Sequence, residues 1–286
     1  MKKKSKESVG KFRDSVAYEQ GLDSPVKKSD YNFSTYGRII SKTNLEYLRK
    51  QSQIFNSSKD PLDEKLFNFP KFVSRQSLTY FIAKYELFKK IVNLHGSIVE
   101  CGVLFGGGLM TFAHLSSIFE PVNYNRKIIG FDTFSGFPAL SKGDKKASSS
   151  LAKKGALSAN SYNELKECIS LFDLNRFLNH IPKIELVKGN ATKTIPKYIK
   201  ENPHTIVNLL YLDFDLYEPT KIALKYFLPR MTKGSIIAFD ELNWKNWAGE
   251  TIAVLDTIDL KKLKIQRFSF NSNMSYVVLD HNLSKS

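Results

Sequence analysis

Four carboxylates in two short stretches have the types and spacing to do chemistry: Asp213 and Asp215 in "LLYLDFDLYEPT", and Asp240 and Glu241 in "GSIIAFDE". Each stretch is an apolar run of the kind that makes a buried strand, closed by acid, where a charge is costly unless something neutralises it. One strand-helix-strand step separates Asp213 from Asp240, so both end adjacent strands. Asp213, Asp240 and Glu241 then crowd one sheet edge, where they repel unless protons or a cation intervene, and a hard divalent cation suits three oxygen donors. Acids satisfied by the backbone N–H groups of the following helices are the plainer alternative. Asp215 before Pro219 also fits a helix cap, with Pro219 in the first turn.

A second constellation is "ECGVLFGGGLMTF", in which Glu100, Cys101 and Gly102 end a strand and Gly106, Gly107 and Gly108 open a helix. Glycines there let a ligand approach the backbone, and free helix N–H groups bind a carboxylate or phosphate. The spacing is not G-x-G-x-x-G, and a turn that merely needs flexible residues explains the glycines too. Further on, Asp132 ends "KIIGFD", where an acid in nucleotide-binding sheets accepts hydrogen bonds from ribose hydroxyls, or simply caps the next turn. Together the two features point to an adenosyl-type ligand.

The elements that position these residues follow from periodicity. From Ser97 short apolar runs alternate with amphipathic stretches, seven runs in all: "SIVECG", "KIIGFD", "KIELVKG", "IVNLLYLDFD", "GSIIAFDE", "KIQRF" and "MSYVVLD". The pattern predicts an α/β fold, a mostly parallel seven-stranded sheet with helices on both faces and a C-terminal antiparallel hairpin. In such a sheet ligands bind outside the carboxyl ends of the strands, and acid closes four of the first five. Upstream, "SLTYFIAKYELFKKIVN" has helical spacing and stops near Gly96. Residues 1–75 read as an N-terminal arm and helical cap, with one helix in "SDYNFSTYGRIISKTNLEYLRKQ". Residues 76–286 read as the main domain, with 139–160 too long for an ordinary connection and hence disordered or a lid.

Composition sets the outer bounds. The chain has 286 residues, 42% hydrophobic and 13% aromatic, with 43 Lys and Arg against 28 Asp and Glu, a formal charge of +15. That excess suggests an anionic partner: nucleic acid, a membrane surface or a phosphorylated small substrate. Much of it lies in "MKKKSKESVGKFR" and "KGDKKASSSLAKKG", which solvated tails and loops explain as well. Lys142, Lys145, Lys146, Lys153 and Lys154 could close over an anionic substrate. Two cysteines, Cys101 and Cys168, give no disulfide framework and fit a reducing compartment. No signal-peptide core or long apolar run is present, so a soluble cytoplasmic protein is expected. His95, His114, His180, His204 and His281 are scattered and read as surface or packing residues. Trp244 and Trp247, beside Lys245 and Asn246, suit a sugar ring or the packing of a helix onto the sheet.

With "IVECGVLFGGG", "GFDTFSGFP", "LVKGNATKTIP", "LYLDFDLYEPT" and "GSIIAFDE" in this order, the chain resembles the macrocin O-methyltransferase family over roughly residues 75 to 280. These are class I, Rossmann-like enzymes that use S-adenosylmethionine to methylate sugar hydroxyls of natural products. The resemblance implies that Glu100, Cys101, Gly102, Gly106, Gly107 and Gly108 border the methionine half of the cofactor. It implies that Asp132 takes the ribose, with Thr133 and Ser135 of its motif also in the cofactor site, and that Gly189, Asn190 and Ala191 flank adenine. It further implies a divalent metal, usually magnesium, on Asp213, Asp240 and Glu241, with Glu241 where the family usually has Asp. Asp213 is then both metal ligand and candidate proton acceptor. The expected acceptor is the sugar hydroxyl of a glycan, nucleotide sugar or glycosylated metabolite. Phenol, amine and nucleic acid acceptors, and a non-catalytic nucleotide-binding module, remain as alternatives, although no aromatic-basic RNA motif is present. The N-terminal arm is expected to serve as a lid or as a contact in a homo-oligomer.

Overall fold

The computed structural model describes residues 42–147, 149 and 151–280. Most of the expected N-terminal arm, residues 1–41, lies outside them, as do His281 and the side chain of Lys146. Contacts divide the chain into two compact units, one running to Thr79 with Ser149–Leu151, the other Tyr80–Ser148 with the residues from Ala152.

The first unit carries α1 (Lys42–Ser57), which takes in the described part of the stretch expected to be helical, the rest of that stretch lying outside the described residues, and a short α2 (Leu62–Phe67) that the sequence reading did not anticipate. Gln51 donates its side-chain amide to the Phe72 carbonyl, and Phe55 meets Phe72 edge-on at 5.2 Å. Lys71 and Asp60 pair at 2.7 Å on the surface. Helix α3 (Arg75–Ile91) leads into the second unit.

The second unit is built on seven strands: β1 (Ser97–Cys101), β2 (Ile128–Asp132), β3 (Ile184–Lys188), β4 (Val207–Leu212), β5 (Met231–Phe239), β6 (Gln266–Phe268) and β7 (Asn271–Val278). Their order is β3-β2-β1-β4-β5-β7-β6. Strands β1 to β5 pair in parallel, while β7 runs antiparallel to both β5 and β6, which is the expected terminal hairpin. Between them run α4 (Gly107–Phe119), α5 (Tyr162–Leu174), α6 (Ala191–Glu201), α7 (Tyr217–Phe227) and α8 (Ala248–Thr257).

Alternation along the strands divides the core in two, because successive side chains point to opposite faces. Ile98, Ile128, Leu209, Tyr211 and Ile236 pack with Leu87 and Phe88 of α3, Phe112 of α4 and Phe172 of α5. Val99, Cys101, Phe131, Leu210, Leu212 and Phe239 pack with Ile195 of α6, Phe227 of α7 and Val254 of α8. With helices on both faces, β1 and β4 are buried along their whole length, which is why they read as unbroken apolar runs. The strand order reverses between β1 and β4, and at such a point the loops diverge to leave a crevice at the carboxyl ends.

Candidate active site

The candidate site begins where β1 and β4 end, at the switch point. Gly102 has φ +99, and a Cβ there would lie 1.9 Å from the carbonyl oxygen of Asp213, so only glycine fits. The Asp213 N–H donates to the Cys101 carbonyl at 2.8 Å, which extends the β1–β4 ladder to the first acid. Gly106, with φ +85, precedes α4.

Asp132 is the hub of the glycine turn. Its Oδ2 accepts the N–H groups of Val103 and Leu104, both at 2.8 Å, and its Oδ1 that of Phe134 at 2.6 Å. A carboxylate has about four lone-pair sites, so about one stays open for a further donor. Thr133 donates its hydroxyl to Gly136 O at 2.7 Å and accepts the Ser135 N–H at 3.1 Å, tightening the turn that Asp132 starts. Gly189 donates its N–H to Asp132 O at 2.8 Å, joining the β2 and β3 ends. Asn190 caps α6, its Oδ1 accepting from Thr192 N at 3.0 Å, and Ala191 is buried in the core. Cys101 is buried, and burial pushes its thiol well up; Cys168 on α5 is exposed.

At the acid edge the structure brings together Asp213, Asp215 and Glu241, each with an oxygen within 4.8 Å of the others. This differs from the expected set in one member. Asp240 points its Oδ1 to the Tyr211 hydroxyl, which donates at 2.6 Å, and Asp215 stands in the trio instead. Asp215 is therefore not the cap of α7. It sits in the left-handed region at φ +60, and the first N–H of α7, on Tyr217, donates to Asp144 Oδ1 at 2.7 Å. Asp144, buried, also accepts from the N–H and hydroxyl of Ser141, joining the start of the lysine-rich segment to the start of α7. A Cβ at Gly249 would lie 2.5 Å from Asp144 Oδ1 and 2.8 Å from Asp215 O.

A further acid was missed in the sequence. Glu250, in the first turn of α8, is fully buried; its Oε1 accepts from Glu241 N at 3.2 Å and its Oε2 has no partner. Burial first, and neighbouring acids second, push the carboxyls of Asp213, Glu241 and Glu250 well up. Asp215 is pushed up to about 8 by burial and by Asp240, against a hydrogen bond with Glu241. Among the described residues no lysine or arginine pairs with these acids; the buried Lys84 pairs with Glu100 at 3.2 Å. No histidine or cysteine joins a candidate metal group there. His114 packs edge-on against Phe172 at 5.0 Å, and Trp247 is buried against Phe137 at 5.7 Å.

A seven-stranded sheet of this order, with a glycine turn at its switch point, defines a class I methyltransferase. The profile of the macrocin O-methyltransferase (TylF) family matches residues 84–264, more than half of the chain. Two structures of CalS11 are similar. One, described as a calicheamicin methyltransferase, is 34% identical with TM-score 0.80, covering 84% of this chain and 93% of its own. The other, the apo form described as a TDP-rhamnose 3'-O-methyltransferase, is 33% identical with TM-score 0.73, covering 84% and 95%. The O-methyltransferase NovP, 17% identical with TM-score 0.54 over 70% of this chain and 79% of its own, shares the fold. No curated protein sequence matches. The chain belongs to the macrocin O-methyltransferase family and is an S-adenosylmethionine-dependent O-methyltransferase. Among the described residues no helix is long and apolar enough to cross a membrane.

Proposed function

We propose that the enzyme methylates a sugar hydroxyl of a glycan, nucleotide sugar or glycosylated metabolite, assisted by a divalent cation such as magnesium. The observation that carries this reading is the trio of Asp213, Asp215 and Glu241 beside the glycine turn at the strand switch point. The acceptor class rests on the likeness to CalS11, whose own description is a TDP-rhamnose methyltransferase.

The donor set fits a hard cation. Three carboxylate oxygens converge, Glu241 Oε2 is buried without a partner, and mutual repulsion is relieved by positive charge. Asp213, Asp215 and Glu241 would hold the ion, with Asp240 and Glu250 behind them. Bound there, a divalent cation supplies Lewis acidity, lowering the pKa of a chelated hydroxyl. The sulfonium donor is already activated, so the chain's own task is to align the acceptor oxygen and take its proton. Asp213 is the candidate proton acceptor, at the end of β4 where its backbone is fixed to Cys101. Glu100 to Gly108 border the donor's methionine half, the open lone pair of Asp132 takes a ribose hydroxyl, and Gly189 to Ala191 flank adenine. Exposed Lys142 and Lys145 flank Asp144, and exposed Lys153 and Lys154 follow later in the lysine-rich stretch; together they supply charge for an anionic acceptor. Free thiols accord with a cytoplasmic enzyme.

Calorimetry with S-adenosylmethionine, then methyl transfer to nucleotide sugars and glycosides with and without chelator, tests this. Transfer is expected to need both sugar and cation. Turnover that a chelator leaves unchanged removes the metal, and salt-sensitive methylation of RNA in place of sugars removes the acceptor class.

A further inference from the structure

Lys84 is a lysine inside the core of the second unit. It lies on α3 in line with Leu87, Phe88 and Ile91, all buried, and is itself 5% exposed. Its ammonium pairs with Glu100 Oε1 at 3.2 Å and sits 3.3 Å from the centre of the Tyr211 ring, with the Phe112 ring at 5.0 Å. The Tyr211 hydroxyl in turn donates to Asp240. The pair lies directly beneath the first turn of α4: a Cβ on Gly108 would be 1.9 Å from Glu100 Oε1 and 2.9 Å from Lys84 Nζ. Glu100 Oε2 is buried with no partner.

We propose that Lys84 is a positioning residue of the methyl donor's site, holding Glu100 as a fixed negative charge under the glycine turn, where the cationic donor must bind. The inference rests on the reading of that turn as the donor site. A buried carboxylate without a counter-ion takes up a proton, and a neutral acid offers a cationic ligand little. Burial pushes the Glu100 carboxyl up, and Lys84 is the group that opposes it. The other charged groups facing Glu100 are Asp132 at the end of β2, Asp240 after β5 and Asp213 after β4; all are acids, and Asp132 and Asp240 push its carboxyl the same way as burial. The cation-π contacts with Tyr211 and Phe112 hold the buried ammonium in place.

The test is S-adenosylmethionine binding by calorimetry from pH 6.5 to 9 for wild type, Lys84→Met and Glu100→Gln. Wild type is expected to bind with little pH dependence. Lys84→Met is expected to bind at least tenfold more weakly at pH 7 and to regain affinity as pH rises and Glu100 ionises. Glu100→Gln is expected to stay weak throughout. Lys84→Met that binds as wild type, or is weakened equally at every pH, overturns the inference. A wild type that binds no donor overturns the reading on which it rests. If Lys84→Met does not fold, Gly108→Ala carries the test, since alanine favours the helix while its Cβ prises the pair apart with both charges kept. Its loss of affinity is expected to ease at high pH; a pH-independent loss, or none, overturns the inference.

Discussion

At the amino ends of the strands Arg126, 1% exposed, donates to Glu120 through Nε and to the carbonyls of Gly96, Ile91, Val92 and Leu94 through its terminal nitrogens. Glu120 accepts also from Ser116 and Asn123. At the carboxyl ends five acids crowd together, and oxygens of Glu241 and Glu250 are buried unpartnered. The first cluster is satisfied by the chain itself and closes the end of α3. The second keeps buried acceptor oxygens that the chain's own donors leave unpartnered. A completed network of buried charge stabilises a fold, whereas an incomplete one marks where a ligand's charge belongs.

Substituting Asp213→Asn should separate the two ends most sharply. Methyl transfer is expected to fall on the order of 100- to 10,000-fold, the range for a lost general base, with thermal stability unchanged or raised because a repelling charge is gone. A variant that keeps its rate places the chemistry elsewhere. Arg126→Met should do the reverse. Leaving Glu120 buried without its cation is expected to cost about 3–5 kcal/mol in urea unfolding, while the folded fraction keeps its turnover.

The acid edge also predicts a pH dependence. Asp215 binds its proton more tightly in the folded protein, at about 8 against 3.8, so its contribution to stability is full below the lower value and lost as pH rises through the higher one. In chelator, the melting temperature is expected to fall between about pH 4 and 8, and magnesium or manganese should flatten that fall. A melting curve indifferent to both would count against the trio as a cation site. The smallest effect is expected from Asn190→Ala. Loss of the α6 cap should cost about 1 kcal/mol, and a larger change in donor affinity than in stability would give Asn190 a part in binding adenine.

The strands, their acidic ends and the glycine turn were legible because both-face burial leaves continuous apolar runs, and a charge that ends one is conspicuous. Asp215 was not legible as a member of the trio. Its direction depends on a left-handed backbone that neither glycine nor asparagine announced. Asp240 stands at the edge to which spacing assigned it, near enough to raise the carboxyls of Asp213, Asp215 and Glu241, but its bond from the Tyr211 hydroxyl depends on cross-strand pairing, which is not written in either stretch alone. Lys84 and Glu250 did leave a trace: each stands in the apolar stripe of its helix, in step with Leu87 and Phe88, and with Ala253 and Val254. A charged residue in a core-facing register asks for a partner, and that rule would have found both. The short helix at Leu62–Phe67 was missed because it buries none of its residues and so shows no periodic face.

The contrast between the two thiols makes the protein its own labelling reagent target. Cys101 is sealed in the core with its proton held tightly, and Cys168 is open on α5. A maleimide dye or spin label therefore attaches at one place without any engineering. Leu165, one turn back along the same helix, would be struck by a Cβ on Gly106 at 2.4 Å. A probe on Cys168 thus reports, by distance or emission, on the helix that braces the glycine turn while substrates come and go.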